Sequence, residues 1–139
     1  MSLRSLLPAQ HDLDRGSAPI QVAIIFPVVI LIIFGIVQGF TIAWAHNAVA
    51  TAAREGVSAG RMYGAGPGDG AAKARKATAD LGGNLLTSVS VSTAGTTRDR
   101  MSIRVEGQAV SLVPGLKSIS VSSAASGPIE QWTTAGDDR

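Results

Sequence analysis

The sequence predicts an α+β protein. A long N-terminal transmembrane helix continues into a small head with a second helix and a roughly three-stranded antiparallel sheet. Three observations predict this. No Asp, Glu, Lys or Arg occurs between Arg15 and Arg54. A glycine-rich segment, Gly64–Gly70, separates that stretch from a short Ala-rich one bearing Lys73, Arg75 and Lys76. Three later segments alternate apolar and polar side chains with the period of a half-buried strand.

The apolar stretch justifies the first helix. Sixteen positions from Ile20 to Ile42 are Ile, Leu, Val or Phe. Each contributes about −0.3 to −0.6 kcal/mol to insertion near a helix centre, so together they supply on the order of −5 kcal/mol or better. That outweighs the amides of Gln21 and Gln38 and the ring of Pro27. At about 1.5 Å per residue, Ile20–Ala45 spans roughly 39 Å, more than the ~30 Å hydrocarbon core of a bilayer. A chain of 139 residues has no core large enough to surround a helix that is apolar on every side. Pro27 removes one helical hydrogen bond and loosens the turn before it, which lipid-embedded helices tolerate. Gly35 and Gly39 form a Gly-x-x-x-Gly spacing, which lets two helices approach closely. Gln38 reads as an interhelical hydrogen-bond group. The span is expected over residues 17–45, with Trp44 at the interface. Arg4 and Arg15 before the span balance Arg54 and Arg61 after it, so charge does not orient it. Ala43-Trp44-Ala45 also fits a signal-peptide cleavage pattern, but the apolar run is too long for an h-region.

Beyond the span, Ala45, Ala48, Ala52 and Gly56 recur at helical spacing, so the helix should continue to about Gly60. Gly64–Gly70 reads as a flexible linker. Ala71–Leu81 reads as the second helix, started by Asp69 or Gly70 and ended at Gly82-Gly83. The strands are expected at Ser88–Ser92, Met101–Glu106 and Ser118–Ser122. Thr93–Asp99 should form the hairpin connection, and Val113-Pro114-Gly115-Leu116 a turn before the third strand. One apolar sheet face needs a cover, which either helix provides. Residues 129–139 read as a mobile polar tail.

Composition excludes several chemistries. With no cysteine, disulfides, thiolate metal sites and a cysteine nucleophile are ruled out. The net charge is +2, and Lys73-Ala74-Arg75-Lys76 is the only basic cluster, with no stacking aromatics, so nucleic acid is not an expected partner. The linker glycines lack the strand context and the Lys-Ser/Thr ending of a phosphate loop. His11 and His46 have no metal-ligand spacing. No nucleophile–base constellation is present. The sequence therefore calls for no enzyme, no metal, no cofactor and no small-molecule substrate.

The segment Arg15-Gly16-Ser17-Ala18-Pro19-Ile20-Gln21-Val22-Ala23-Ile24-Ile25-Phe26-Pro27 resembles the opening of TadE-like proteins. These are minor pilins or pseudopilins of the tight-adherence, Flp-type pilus system. Asn47-Ala48-Val49-Ala50-Thr51-Ala52-Ala53-Arg54-Glu55-Gly56 is similar to the Ala-rich stretch of the same family. The resemblance implies a leader, 1–16, cut by a prepilin peptidase between Gly16 and Ser17. It implies assembly roles for Gln21 and Pro27 at the fifth and eleventh mature positions. Gln21 departs from the family, which usually has Glu there, thought to pair with the free N-terminal amine. A neutral amide accepts such a bond without the charge assistance that makes it roughly twice as strong.

The expected protein is thus a single-pass component of the cell membrane, with a cytoplasmic N-terminus and an extracytoplasmic, pilin-like head over 46–128. Its expected partners are the lipid bilayer, a prepilin peptidase and other pilin or Tad subunits, in assembly of a tight-adherence (type IVc) pilus. The alternative is a single-pass envelope protein whose head binds a partner without forming a pilus.

Overall fold

The computed structural model describes residues 17–130. The expected leader, with Gly16, and residues 131–139 of the expected tail lie outside the described residues. The element order is α1 (Ser17–Gly60), α2 (Pro67–Gly82), a 3₁₀ turn (Gly83–Leu85), β1 (Leu86–Ser92), β2 (Arg100–Ala109) and β3 (Ile119–Pro128). This is the α+β arrangement that the sequence predicts. The chain divides into two units, Met1–Ile36 and Val37–Arg139, and the division falls inside α1.

In the first unit, α1 is continuous through Pro27. Its apolar side chains point outward on all sides: Ile20, Ile24, Phe26, Leu31 and Ile36 are each more than 60% exposed. Among the described residues of this unit, nothing provides a core for them.

The second unit has a core, and α1 becomes one-sided within it. Ala45, Val49, Ala52 and Ala53 are fully buried, while Trp44, Asn47, Thr51 and Arg54 face outward. The helix carries mostly Ala and Gly on its inner face, so it lies close to what it packs on. A Cβ on Gly56 would sit 2.8 Å from Ala74 Cβ and from the Gly70 carbonyl oxygen, and 2.9 Å from Ile103 Cδ1. Only glycine permits such an approach.

Helix α2 starts earlier than the sequence reading places it, at Pro67. Pro67 occupies the first helical turn, where a missing N–H costs nothing, and the Asp69 carboxylate reaches back to accept the Gly66 N–H at 2.9 Å. The expected linker therefore shrinks, because its last four residues are helical. Asp69 signals the helix from its third position rather than from its start. Ala71, Ala74 and Ala77 face the core, and Lys73 meets Glu55 of α1 at 3.4 Å. On the outer face Lys76 pairs with Asp80 at 2.9 Å. That hydrogen bond, and then the Asp80 charge, raises the Lys76 pKa.

The sheet has the order β1-β2-β3 and is antiparallel throughout. The central strand β2 alternates without a break, with Met101, Ile103, Val105, Gly107 and Ala109 buried and Arg104, Glu106 and Gln108 exposed. Its inner side chains join Val49, Val57, Ala74, Leu86 and Val121 in one cluster, so helices cover one face and the other is open.

Both outer strands differ from the expected ranges. Strand β1 begins at Leu86, which is buried against Gly82 and Gly107. The register shifts between Thr87 and Ser90, with Ser88 at φ 51°. This bulge leaves Val89 40% exposed, although Val91 packs on the core. Strand β3 runs to Pro128, well past Ser122, in register with β2 from Arg100↔Pro128 to Ala109↔Ile119. Its second half, Ser123-Ala124-Ala125-Ser126-Gly127, lacks the large apolar residues that make a strand readable.

The connections are as expected. Thr96 Oγ1 accepts the Ser102 N–H at 3.1 Å and donates to the Ser102 carbonyl at 2.9 Å, closing the hairpin. Val113–Leu116 is a turn with Leu116 N–H on the Val113 carbonyl at 3.1 Å. Gly115 adopts φ 84° there, as the residue after Pro in a type II turn must. At the start of the expected tail, the Ile129 N–H meets the Asp99 carbonyl at 3.0 Å and the Glu130 N–H meets that of Arg61 at 3.3 Å.

Candidate functional site

The residues that the sequence marks for assembly and packing lie along α1. Ser17 is its first residue. Gln21 is exposed. Pro27 sits inside the helix, where its ring leaves the carbonyl four residues earlier without a helical donor. Gly35 and Gly39 are exposed, and a Cβ added to either would meet nothing within 4 Å. Both present bare backbone outward. None of these residues converges on another, because they are strung along a single rod.

One polar residue of the apolar run does converge with other parts of the chain. Gln38 is only 6% exposed. Its Nε2 donates to the Val110 carbonyl at 3.4 Å. Its Oε1 accepts the Leu112 N–H at 2.8 Å. The side-chain amide therefore closes on the backbone of the segment that follows β2. This corrects the reading of Gln38 as an interhelical group: both ends of its amide are occupied within the chain. One turn on, Thr41 is 2% exposed and donates back to the Val37 carbonyl at 3.0 Å, a bond that removes its hydroxyl from competition.

On the outer side of the same turns, Phe40 and Trp44 are 64% and 46% exposed, with ring centroids 6.2 Å apart. Trp44 Nε1 donates to the carbonyl of Leu81, near the end of α2, at 3.0 Å. Trp44, Asn47, Ala48, Thr51 and Leu81 line a shallow groove there. Burial of Gln38, Thr41 and Ala45 begins where the outward apolar run ends. The polar signals of Gln38 and Thr41 were visible in the sequence, but the two partners of Gln38, 72 and 74 residues away, were not.

Among the described residues no group of three or more His, Cys, Asp or Glu is placed to hold a metal. His46 is exposed. The described surface offers packing faces and backbone hydrogen-bond groups, which suit binding of lipid or protein.

Residues 16–58 match the family model described as TadE-like protein. The match covers the second segment on which the resemblance rests and all of the first but Arg15, and over that stretch the chain is similar to TadE-like proteins; residues 59–139 lie outside it. No curated protein and no solved structure matches the chain. Among the described residues one helix, Pro19–Gly60, is long and apolar enough to cross a membrane.

Proposed function

We propose that this chain is a membrane-anchored minor pilin or pseudopilin that takes part in assembly of a tight-adherence (type IVc) pilus. The observation that carries the reading is a coincidence of ranges. The TadE-like match at 16–58 falls on the helix whose first part is apolar and exposed on every side. In this reading Ile20–Val37 is stored in the lipid bilayer, with the N-terminus cytoplasmic and the head outside the cell membrane. A prepilin peptidase cuts between Gly16 and Ser17. Gly35 and Gly39 let a neighbouring subunit's helix approach, and Pro27 allows the helix to adjust as it leaves lipid for a subunit array. The function is one of assembly, with no catalytic step.

Gln21 favours a second reading. A neutral amide at the fifth mature position forms a weaker bond to an N-terminal amine than Glu does, and it enters lipid at lower cost than a carboxylate. Both properties suit a subunit that stays in the membrane, or an anchored envelope protein whose head binds a partner without a fibre.

Sequencing the N-terminus of the protein recovered from its native membrane separates the two. A chain beginning at Ser17 is the expected result. A chain beginning at Met1 or Ser2 excludes processing and leaves the anchored binding protein.

A further inference from the structure

The segment between β2 and β3 carries two leucines that its own fold leaves uncovered. Leu112 is 40% and Leu116 53% exposed, although each lies within a short, well-connected loop. That loop is tied to α1 at Gln38, through the Leu112 N–H and the Val110 carbonyl. Gln38 in turn follows directly on the outward apolar run. From Ile20, about 20 helical residues cross a hydrocarbon core of ~30 Å, which brings the outer boundary of the lipid tails to Gly39. The leucines are therefore held at the depth where the tails end.

The rest of the loop suits that depth. Several of its backbone groups are bonded within the protein: Leu112 N–H and the Val110 carbonyl with Gln38, and Leu116 N–H on the Val113 carbonyl, while Pro114 has no N–H to satisfy. Polar backbone without such partners is excluded from lipid. Lys117 follows Leu116, and no acidic residue lies between Glu106 and Glu130. A cation at the rim of an apolar tip matches anionic headgroups and reaches them by extending its stem along the tails.

We infer that Leu112 and Leu116 dip into the outer boundary of the bilayer that α1 crosses, with Lys117 at the phosphate level. The head then grips lipid at a second point beside the helix, and Gln38 sets the depth. This rests on the membrane-anchored reading above.

The chain has no cysteine of its own, so single-cysteine variants of the full-length protein can carry an environment-sensitive dye. Leu112→Cys, Leu116→Cys, Ile32→Cys and Thr97→Cys are placed in vesicles of phosphatidylcholine and phosphatidylglycerol. The lipids bear a nitroxide either near the carbonyls or deep in the tails. Thr97 lies on the hairpin beside Asp99, which is tied to Ile129 and so to the Arg61 end of α1, remote from Gln38. The expected result is strong loss of emission at 112 and 116 with the shallow nitroxide. Ile32 should lose emission with the deep nitroxide, and Thr97 with neither. If Ile32 is quenched but 112 and 116 behave like 97, the inference falls and the anchor stands. If Ile32 is not quenched, the anchored reading falls and takes the inference with it. Blue-shifted but unquenched dyes at 112 and 116 mean that protein covers the loop, which also overturns it.

Discussion

A side-chain amide offers two N–H donors and a carbonyl acceptor, and burying it without partners costs more than an ordinary hydrogen bond returns. Gln38 meets that demand by bonding to backbone at two points, Val110 and Leu112. Replacing it with leucine keeps the volume but strands the Leu112 N–H. The expected cost in detergent-solubilised protein is about 1–3 kcal/mol, read from thermal unfolding. Amide exchange at Leu112 should accelerate while the amide of Val105, in the middle of the sheet, keeps its protection. Unchanged exchange at Leu112 would remove Gln38 from its role. The sequence showed a glutamine in an apolar run and hence a group that needs a partner. It did not show which partner, because the two contacts are set by how the sheet returns to the helix. Gly56 is similar. Its helical spacing marked it as part of a smooth face, whereas the 2.8 Å approach to Gly70 depends on a second helix whose crossing point no local pattern specifies.

At the scale of elements, β2 and the inner face of α1 hold the head together. Ile103 is fully buried, and it touches the crossing of α1 and α2 beside Gly56 and Gly70. Ile103→Ala should destabilise by about 2–5 kcal/mol, whereas Arg104→Ala, one residue along on the open face, should stay within about 0.5 kcal/mol of the parent. Chemical unfolding of the two variants checks this. Equal losses would mean that the two faces of β2 are not distinguished by burial. Strong alternation made β2 legible, and the Val-Pro-Gly-Leu turn was legible from the chemistry of Pro and Gly. The second half of β3 was not, since Ser, Ala and Gly give no contrast between faces. Its strand conformation follows from pairing with β2 over ten consecutive positions. The start of α2 was misplaced for a related reason: glycine density reads as linker unless the Pro67–Asp69 pairing is weighed against it.

At the scale of the whole molecule, a single helix serves two environments. From Val22 to Val37 its side chains are apolar in every direction, and from Gln38 they divide into a buried polar-and-alanine face and an exposed one. The sequence reading carried the span to Ala45, because Phe40, Ile42, Ala43 and Ala45 are as apolar as what precedes them. Burial of Gln38, Thr41 and Ala45 in the head supports the proposal that the helix leaves lipid near Gly39. The proposed cleavage site and direction of insertion derive from the TadE-like resemblance.

The central claim is that the first part of α1 lies in a bilayer and the later part outside it. Intact cells producing Ile32→Cys or Ser58→Cys in the full-length chain, treated with a membrane-impermeant maleimide, test it most directly. The account predicts rapid labelling at 58, which is exposed on the head, and labelling at 32 only after detergent is added. Labelling at 32 as fast as at 58 in undisturbed cells would contradict it.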